Sequence, residues 1–181
     1  MPAEDAKTDF VRRIPEGDTH ERDICNQCGF IAYENPKIVA GAVVRHEGKI
    51  LLCRRAIEPR RGFWTLPAGY LELNESPENG AKREAIEEAN AKLELSELLA
   101  VYTVERLSQV QLIYRATLKT PEFSAGEESL EVALFEWETI PWDNLAFPTV
   151  HWALKHDRQV ELGEARAPFK NPQGGTTDIR K

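Results

Sequence analysis

Gly69-Tyr70-Leu71-Glu72-Leu73-Asn74-Glu75, followed after seven residues by Arg83-Glu84-Ala85-Ile86-Glu87-Glu88-Ala89-Asn90-Ala91, is the stretch on which the reading of this chain turns. Its second half has the marks of a helix. Ser76 is a good N-cap, Pro77 suits the first helical position, and Asn90 tolerates the left-handed conformation that ends a helix. Positions three and four apart share a helical face, so Glu84, Glu87 and Glu88 project together. Ala81, Ala85, Ile86 and Ala89 lie towards the other side and are expected to pack on a sheet. Three clustered carboxylates repel one another unless cations sit among them, and Arg83 alone cannot neutralise them. Hard oxygen donors of this kind suit Mg²⁺ or Mn²⁺, which keep waters and bind phosphates. A charge run is usually a solvated helix face. Two features weigh against that here: Leu66-Pro67-Ala68-Gly69 delivers backbone beside the carboxylates, and Glu75 stands just before the helix.

Outward from this helix the chain alternates strand and turn signals. Ile38–Val44 is a β-branched run that reads as a buried strand. Glu47-Gly48 marks a tight turn into Lys49–Arg55, making a hairpin. Phe63–Pro67 is a shorter strand, and Leu98–Glu105, Val110–Leu118 and Val132–Trp137 are further strand-like runs. Thr149–His156 reads as an amphipathic helix. The expected architecture is α/β, a mixed sheet between helices in an α/β/α sandwich. Three zones follow: residues 1–36 with a Cys25-Asn26-Gln27-Cys28-Gly29 knuckle, a folded domain over 37–160, and a tail over 161–181 with few apolar anchors.

The 181 residues suffice for one substantial domain and a small appendage, with 41% hydrophobic and 29% charged residues. No apolar run approaches the ~20 residues of a membrane helix, and the acidic start Met1-Pro2-Ala3-Glu4-Asp5 reads as no secretory signal. Three cysteines favour a reducing cytoplasm over a disulfide framework. A net charge of −7 and a pI near 5.2 argue against a nucleic-acid polymer as partner. They allow a small anionic nucleotide-derived substrate held through divalent cations.

The stretch resembles the Nudix box, G-x5-E-x7-R-E-U-x-E-E-x-G-U with U aliphatic. Gly69, Glu75, Arg83, Glu84, Glu87 and Glu88 fall on its six most restrictive positions, a coincidence with a probability on the order of 10⁻⁷ per starting point. The chain departs from the box at Asn90, Ala85 and Ala91, which concern helix termination and packing rather than ligands. The resemblance spans about residues 12–158 and implies the Nudix α/β/α fold and hydrolysis of a phosphate–phosphate bond. By position it makes Glu84, Glu87 and Glu88 the metal ligands and Glu75 an auxiliary one, with the carbonyl of Ala68 or Gly69 as a further donor. Arg83 would orient a glutamate. In ADP-ribose-cleaving relatives the general base comes from a loop before a late strand, which points to Glu127 or Glu128, though an ordinary acidic surface turn is an equal reading. Arg54, Arg55, Arg60 and Arg61 flank a loop that faces the site in such folds, and at least two of them read equally as surface residues. Phe147 is a candidate to stack on a base; Trp64 suits the core better.

The Cys25-x-x-Cys28 knuckle resembles half of the zinc-ribbon leader of one Nudix branch. A structural zinc wants four ligands, and Ala3-Glu4-Asp5-Ala6 stands where the other Cys-x-x-Cys belongs. Even with His20 as a third ligand, an empty, degenerate ribbon is the favoured expectation over zinc at Cys25 and Cys28. His46, His151 and His156 show no ligand spacing. The ribbon-bearing branch implies FAD or ADP-ribose as substrate. It disfavours NADH, because the Ser-Gln-Pro-Trp-Pro-Phe-Pro signature of NADH-cleaving relatives does not follow Ala91. The rivals are a housecleaning hydrolase of nucleoside triphosphates and a non-catalytic nucleotide sensor. A homodimer is a further implication of the resemblance.

Overall fold

In the computed structural model, which describes residues 9–178, the chain divides after Pro36 into two units. In the first, Phe10–Arg13 (β1), Arg22–Cys25 (β2) and Ile31–Ala32 (β3) form an antiparallel sheet in the order β1-β2-β3. These strands are too short and too polar to stand out by periodicity. The cysteine knuckle is the turn between β2 and β3. Gly29, at φ 73°, donates its N–H to the Cys25 carbonyl at 2.9 Å, and Cys25 donates to the Phe30 carbonyl at 2.9 Å. The knuckle is tied to the strand entry through Asn26, whose backbone N–H and side-chain amide donate to the carbonyl and carboxylate of Asp9 at 2.9 and 3.0 Å. Ala3–Ala6 lies outside the described residues.

The second unit is built on Lys37–His46 (β4) and Lys49–Arg55 (β5), joined by Glu47 and Gly48, both at positive φ as a two-residue hairpin turn requires. Trp64–Thr65 (β6), Ala68–Tyr70 (β7), helix Pro77–Ala89 (α1), Leu93–Val104 (β8), Gln109–Leu118 (β9), Ser129–Phe135 (β10) and helix Pro148–Glu161 (α2) complete it. The sheet runs β10-β5-β4-β9-β8, with β4 and β9 parallel and the other neighbours antiparallel. This is the mixed sheet expected. Strand side chains alternate between faces, and the alternation separates two cores. Ala40, Ala42, Val44, Leu51 and Cys53 pack with Ala81, Ala85 and Ala89 of α1. Val43, Ile50, Leu52, Leu99 and Tyr102 pack with Val150, Ala153 and Leu154 of α2. One helix therefore covers each face. Ile86, expected to pack on the sheet, is half exposed instead.

Boundaries moved where local signals were weak. β8 begins at Leu93, five residues before the expected strand, because irregularities between Leu95, Leu98 and Ala100 break its alternation. β7 has no counterpart among the expected strands: three residues, Ala-Gly-Tyr, carry no strand pattern, and pairing with β4 makes them one. Within 161–181, expected as a loose tail, the stretch around Phe169 and Asn171 is anchored. Phe169 exchanges hydrogen bonds with Leu99 and Val101 at 2.8 and 2.9 Å and stacks on His156, and Asn171 pairs with the Thr103 backbone. Among the described residues no helix is long and apolar enough to cross a membrane.

One irregularity of the sheet matters for the site. β4 and β5 pair only near their turn, over Val44–His46 and Lys49–Leu51. Beyond that point they splay. The first half of β4 pairs with β7, and the second half of β5 pairs with β6. The β6–β7 wedge carries Ala68 and Gly69 into the opening.

Candidate active site

α1 presents its carboxylates to that opening. Ser76 accepts from the Asn79 N–H at 3.3 Å, and Pro77 begins the helix, as the residue types dictate. Glu84 and Glu88 are buried, at 8% and 4% exposure. Glu87, on the outer edge of the same face, is about half exposed. Gly69 faces Glu84 so closely that a Cβ there would fall on the carboxylate, so a larger residue would push that carboxylate out of its place. The Ala68 N–H donates to Glu88 Oε2 at 3.1 Å.

Arg83 organises the remaining charges. Its Nε and Nη2 donate to the two oxygens of Glu75 at 3.0 and 3.0 Å, a bidentate pair. Nη1 donates to Glu84 Oε1 at 2.7 Å and Glu87 Oε2 at 2.8 Å, and Nη2 also reaches the Tyr70 carbonyl at 2.9 Å. Arg83 thus holds three glutamates, not one, and Glu75 directs both its oxygens at the guanidinium. The Arg83 bonds hold the Glu75 carboxyl below its ordinary value. Desolvation acts oppositely on the buried pair: it raises Glu84, and it pushes Glu88 up to about 8 against the opposing Ala68 hydrogen bond. The charges of Glu84 and Glu128 push Glu88 the same way.

The loop carrying Glu127 and Glu128 is clamped to the end of α1. Gly126 donates to the Glu88 carbonyl at 3.0 Å and Ser124 to the Ala89 carbonyl at 2.9 Å. A Cβ on Gly126 would collide with the Glu87 carbonyl. Asn90 sits at φ 48°, the left-handed cap, and its side-chain amide donates to Ser124 Oγ and to the carbonyls of Ser124 and Ala125 at 3.1–3.3 Å. The departure from glycine therefore adds three contacts that glycine cannot make.

Arg83, Glu84, Glu87, Glu88, Glu127 and Glu128 line one end of a cleft of about 1420 Å³, and Glu75 does not line it. Arg55 and Phe147 line it too, the guanidinium lying 5.3 Å from the ring centroid. Arg54 and Arg61 do not. Arg54 donates to the Gly62 carbonyl and pairs with Glu131, since alternation along β5 turns it away from Arg55, and Arg61 is exposed. Arg60 lies over Phe63, and Trp64 packs edge-on against Phe135 in the α2-side core. The cleft continues over the α2 face of the sheet to Val39, Val104, Arg106, Gln109 and Gln111. None of these stood out in the sequence. The available signal was Gln109 and Gln111 recurring at period two in a strand whose next same-face residue is Ile113.

The donors suit a hard divalent cation: two buried carboxylates of like charge, a third at the rim, and open cleft beside them. Among the described residues no three such side chains already converge on one point, because Glu84 and Glu87 are turned to Arg83. Mg²⁺ needs only one or two carboxylates beside waters and substrate phosphates, so the set fits. Cys25 and Cys28 do not fit a structural zinc by themselves. The third cysteine, Cys53, is buried in the core of the second unit, and the His20 ring contacts Thr19 and Asp18.

Comparison with known proteins gives a consistent picture. The NUDIX domain pattern matches residues 35–156, and the Nudix N-terminal pattern, a zinc ribbon, matches residues 7–34. A crystal structure of a NUDIX hydrolase from Nitrosomonas europaea superposes with a TM-score of 0.84 at 47% identity, covering 89% of this chain and 92% of that one. A MutT-like protein of Streptomyces ambofaciens is 40% identical over 101 residues, 56% of this chain and 62% of its own length. An ADP-ribose pyrophosphatase of Methanocaldococcus jannaschii is 28% identical over 119 residues, 64% of this chain and 69% of its own.

Proposed function

This chain belongs to the Nudix hydrolase family, and from that premise we propose that it hydrolyses the diphosphate bond of a nucleoside diphosphate linked to a second moiety, FAD or ADP-ribose, releasing two monophosphates. The observation that carries the reading is the buried Glu84–Glu88 pair at one end of a cleft whose other end extends well beyond the carboxylates. A substrate with a group on each side of its diphosphate uses both ends. In this reading Glu84, Glu87 and Glu88 hold Mg²⁺ or Mn²⁺, with the Ala68 carbonyl as a further donor. When bound, the metal neutralises the diphosphate and acidifies water. Arg83 keeps Glu84 and Glu87 together, and Glu75 fixes Arg83. Arg55, beside Phe147, binds a phosphate. Glu127 or Glu128 takes a proton from the attacking water as its oxygen bonds to phosphorus and the bridging P–O bond breaks.

The test is a product-resolved screen of FAD, ADP-ribose, NADH and nucleoside triphosphates with Mg²⁺ or Mn²⁺, and with chelator. Two monophosphates from FAD or ADP-ribose, abolished by chelator, are expected. Pyrophosphate from a triphosphate would replace this reading by the housecleaning one, and tight binding without cleavage by the sensor one.

Two further expectations arise here. Asn90→Gly keeps the left-handed cap and loses the three amide contacts to the loop. Its kcat is expected to fall about ten- to a hundredfold, the scale of a small misplacement of a reacting group, with KM and melting temperature little changed. Steady-state kinetics beside thermal unfolding checks this; an unchanged kcat counts against the loop supplying the base. The second concerns the ribbon. Two thiols with the Asp9–Asn26 tie in place of a second knuckle point to a zinc-free leader, so the purified protein is expected to carry well under one zinc per chain. Elemental analysis giving one tightly held zinc would reverse that.

A further inference from the structure

Where the α2 face of the sheet borders the cleft, it carries two glutamines beside apolar neighbours. Gln109, Gln111 and Ile113 recur at period two on β9 and line the cleft with Val39 and Val104. A sheet face continuous with a core ordinarily carries aliphatic residues, and Ile113 lies in the α2-side core. Gln109 is nonetheless buried, at 9% exposure. The two glutamines bond each other, Gln111 Nε2 donating to Gln109 Oε1 at 2.8 Å, and that is the one hydrogen bond either side chain makes among the described residues. The bond uses one donor and one acceptor. It leaves one amide donor and one amide acceptor on two residues that line the cleft: the Gln109 NH₂ and the Gln111 oxygen in this arrangement, and the reverse if both amides are turned. The free donor and acceptor keep access to the cleft, so a ligand with the complementary pair can bond both.

The position fits the rest of the site. Gln111 lies opposite Val39 on β4, and Val39 lies opposite Tyr70 on β7. Two strand spacings, about 10 Å, separate it from the strand whose Ala68 N–H holds Glu88. The cleft of about 1420 Å³ exceeds the roughly 300–1,000 Å³ common for small-molecule pockets, so it has room for a nucleoside beyond the diphosphate.

We propose that Gln109 and Gln111 are a base-reading subsite for adenine, their free amide donor and acceptor meeting the ring nitrogen and exocyclic amino group of its edge while Val39, Val104 and Ile113 take its flat surface. A single glutamine amide reads adenine with one donor beside one acceptor; here the bonded pair of amides supplies the same two groups between them. The subsite rests on the reading of the cleft as a nucleotide site but not on turnover. Its test is therefore equilibrium binding of products: AMP, IMP and ribose 5-phosphate titrated by calorimetry into the wild type, into Gln109→Leu/Gln111→Leu, and into Gln111→Met, which keeps the side chain's length but removes its donor and acceptor, should the double variant fold poorly. The wild type is expected to bind AMP at least tenfold more tightly than ribose 5-phosphate and several-fold more tightly than IMP, which lacks the amino group, and both variants to lose that preference. Equal affinity for AMP and ribose 5-phosphate, IMP matching AMP, or a preference that survives substitution overturns the subsite. Adenine-selective binding with no hydrolysis of any substrate would sink the pyrophosphatase reading and leave the subsite standing.

Discussion

Glu88→Gln is expected to lower kcat by about a thousandfold, roughly 4 kcal/mol of transition-state stabilisation, while leaving the fold intact. The change removes one negative charge and almost no volume. Glutamine keeps the oxygen that accepts from the Ala68 N–H, so the β7–α1 contact survives. What is lost is a charged donor in the most buried position of the carboxylate cluster. Steady-state kinetics with Mg²⁺, beside Mn²⁺ titration of wild type and variant, checks it. Wild-type turnover by the variant would remove Glu88 from the chemistry.

The same residue makes a prediction in the absence of metal. Burial pushes the folded-state Glu88 up to about 8 from an ordinary 4.5. An acid with a raised folded value holds its proton more tightly in the native state. The native state therefore gains least where the carboxyl is forced to ionise: metal-free stability is highest below the unfolded value and declines as pH rises from about 4.5 through 8. A shift of that direction and size corresponds to a few kcal/mol in order of magnitude. In Glu88→Gln the Glu88 part of this decline is absent and only that of the raised Glu84 remains, and saturating Mg²⁺ suppresses the decline in the wild type. Urea unfolding at a series of pH values with chelator measures it. A wild type as stable at pH 8.5 as at pH 5 would show that the site accommodates the charge without a cation.

What was legible in the sequence was what local chemistry determines. Ser76, Pro77 and Asn90 fix the ends of α1 through capping, so the helix and its acidic face followed from residue types alone. Ile38–Val44 and the Glu47-Gly48 turn likewise announced their hairpin. Long-range pairing decided the rest. Nothing in Ala68-Gly69-Tyr70 reads as a strand until β4 splays from β5 and leaves an edge to fill. Arg54 and Arg55 are indistinguishable as neighbours in sequence, and only the strand's alternation puts one towards Glu131 and the other in the cleft. Asn90 illustrates the limit best. Its tolerance of a left-handed cap was evident, but its three contacts to the loop at Ser124 and Ala125 span more than thirty residues. Phe169 is similar: in a stretch of Gly, Pro and Lys it looked unanchored, and its partner His156 lies on α2.

Asp157→Leu is expected to destabilise the protein by about 3 kcal/mol or more, the cost of leaving buried charge without its partner. Asp157 is fully buried on α2. It accepts from Arg45 Nε of β4 at 2.6 Å on one oxygen and from Arg115 Nε of β9 at 2.7 Å on the other. Arg45 also donates to Glu161, which Arg158 shares, and Arg115 donates to Glu97. Three cations and three carboxylates thus cancel where α2 crosses two parallel strands. Leucine keeps the branched heavy-atom skeleton of aspartate but strands two guanidiniums that are only 14% and 21% exposed. Geometry, not the count of ion pairs, sets the sign: replacing all three charges together, as Arg45→Met/Arg115→Met/Asp157→Leu, is expected to restore most of the loss, because an apolar cluster carries no desolvation penalty. Urea midpoints of the single and triple variants decide between the two accounts. A triple variant as unstable as the single one would mean that the cluster orients α2 in a way hydrophobic packing cannot reproduce. None of the three residues lines the cleft, so kcat of the folded fraction stays near wild type in either case, and a fall in kcat would instead tie the seat of α2 to the shape of the site.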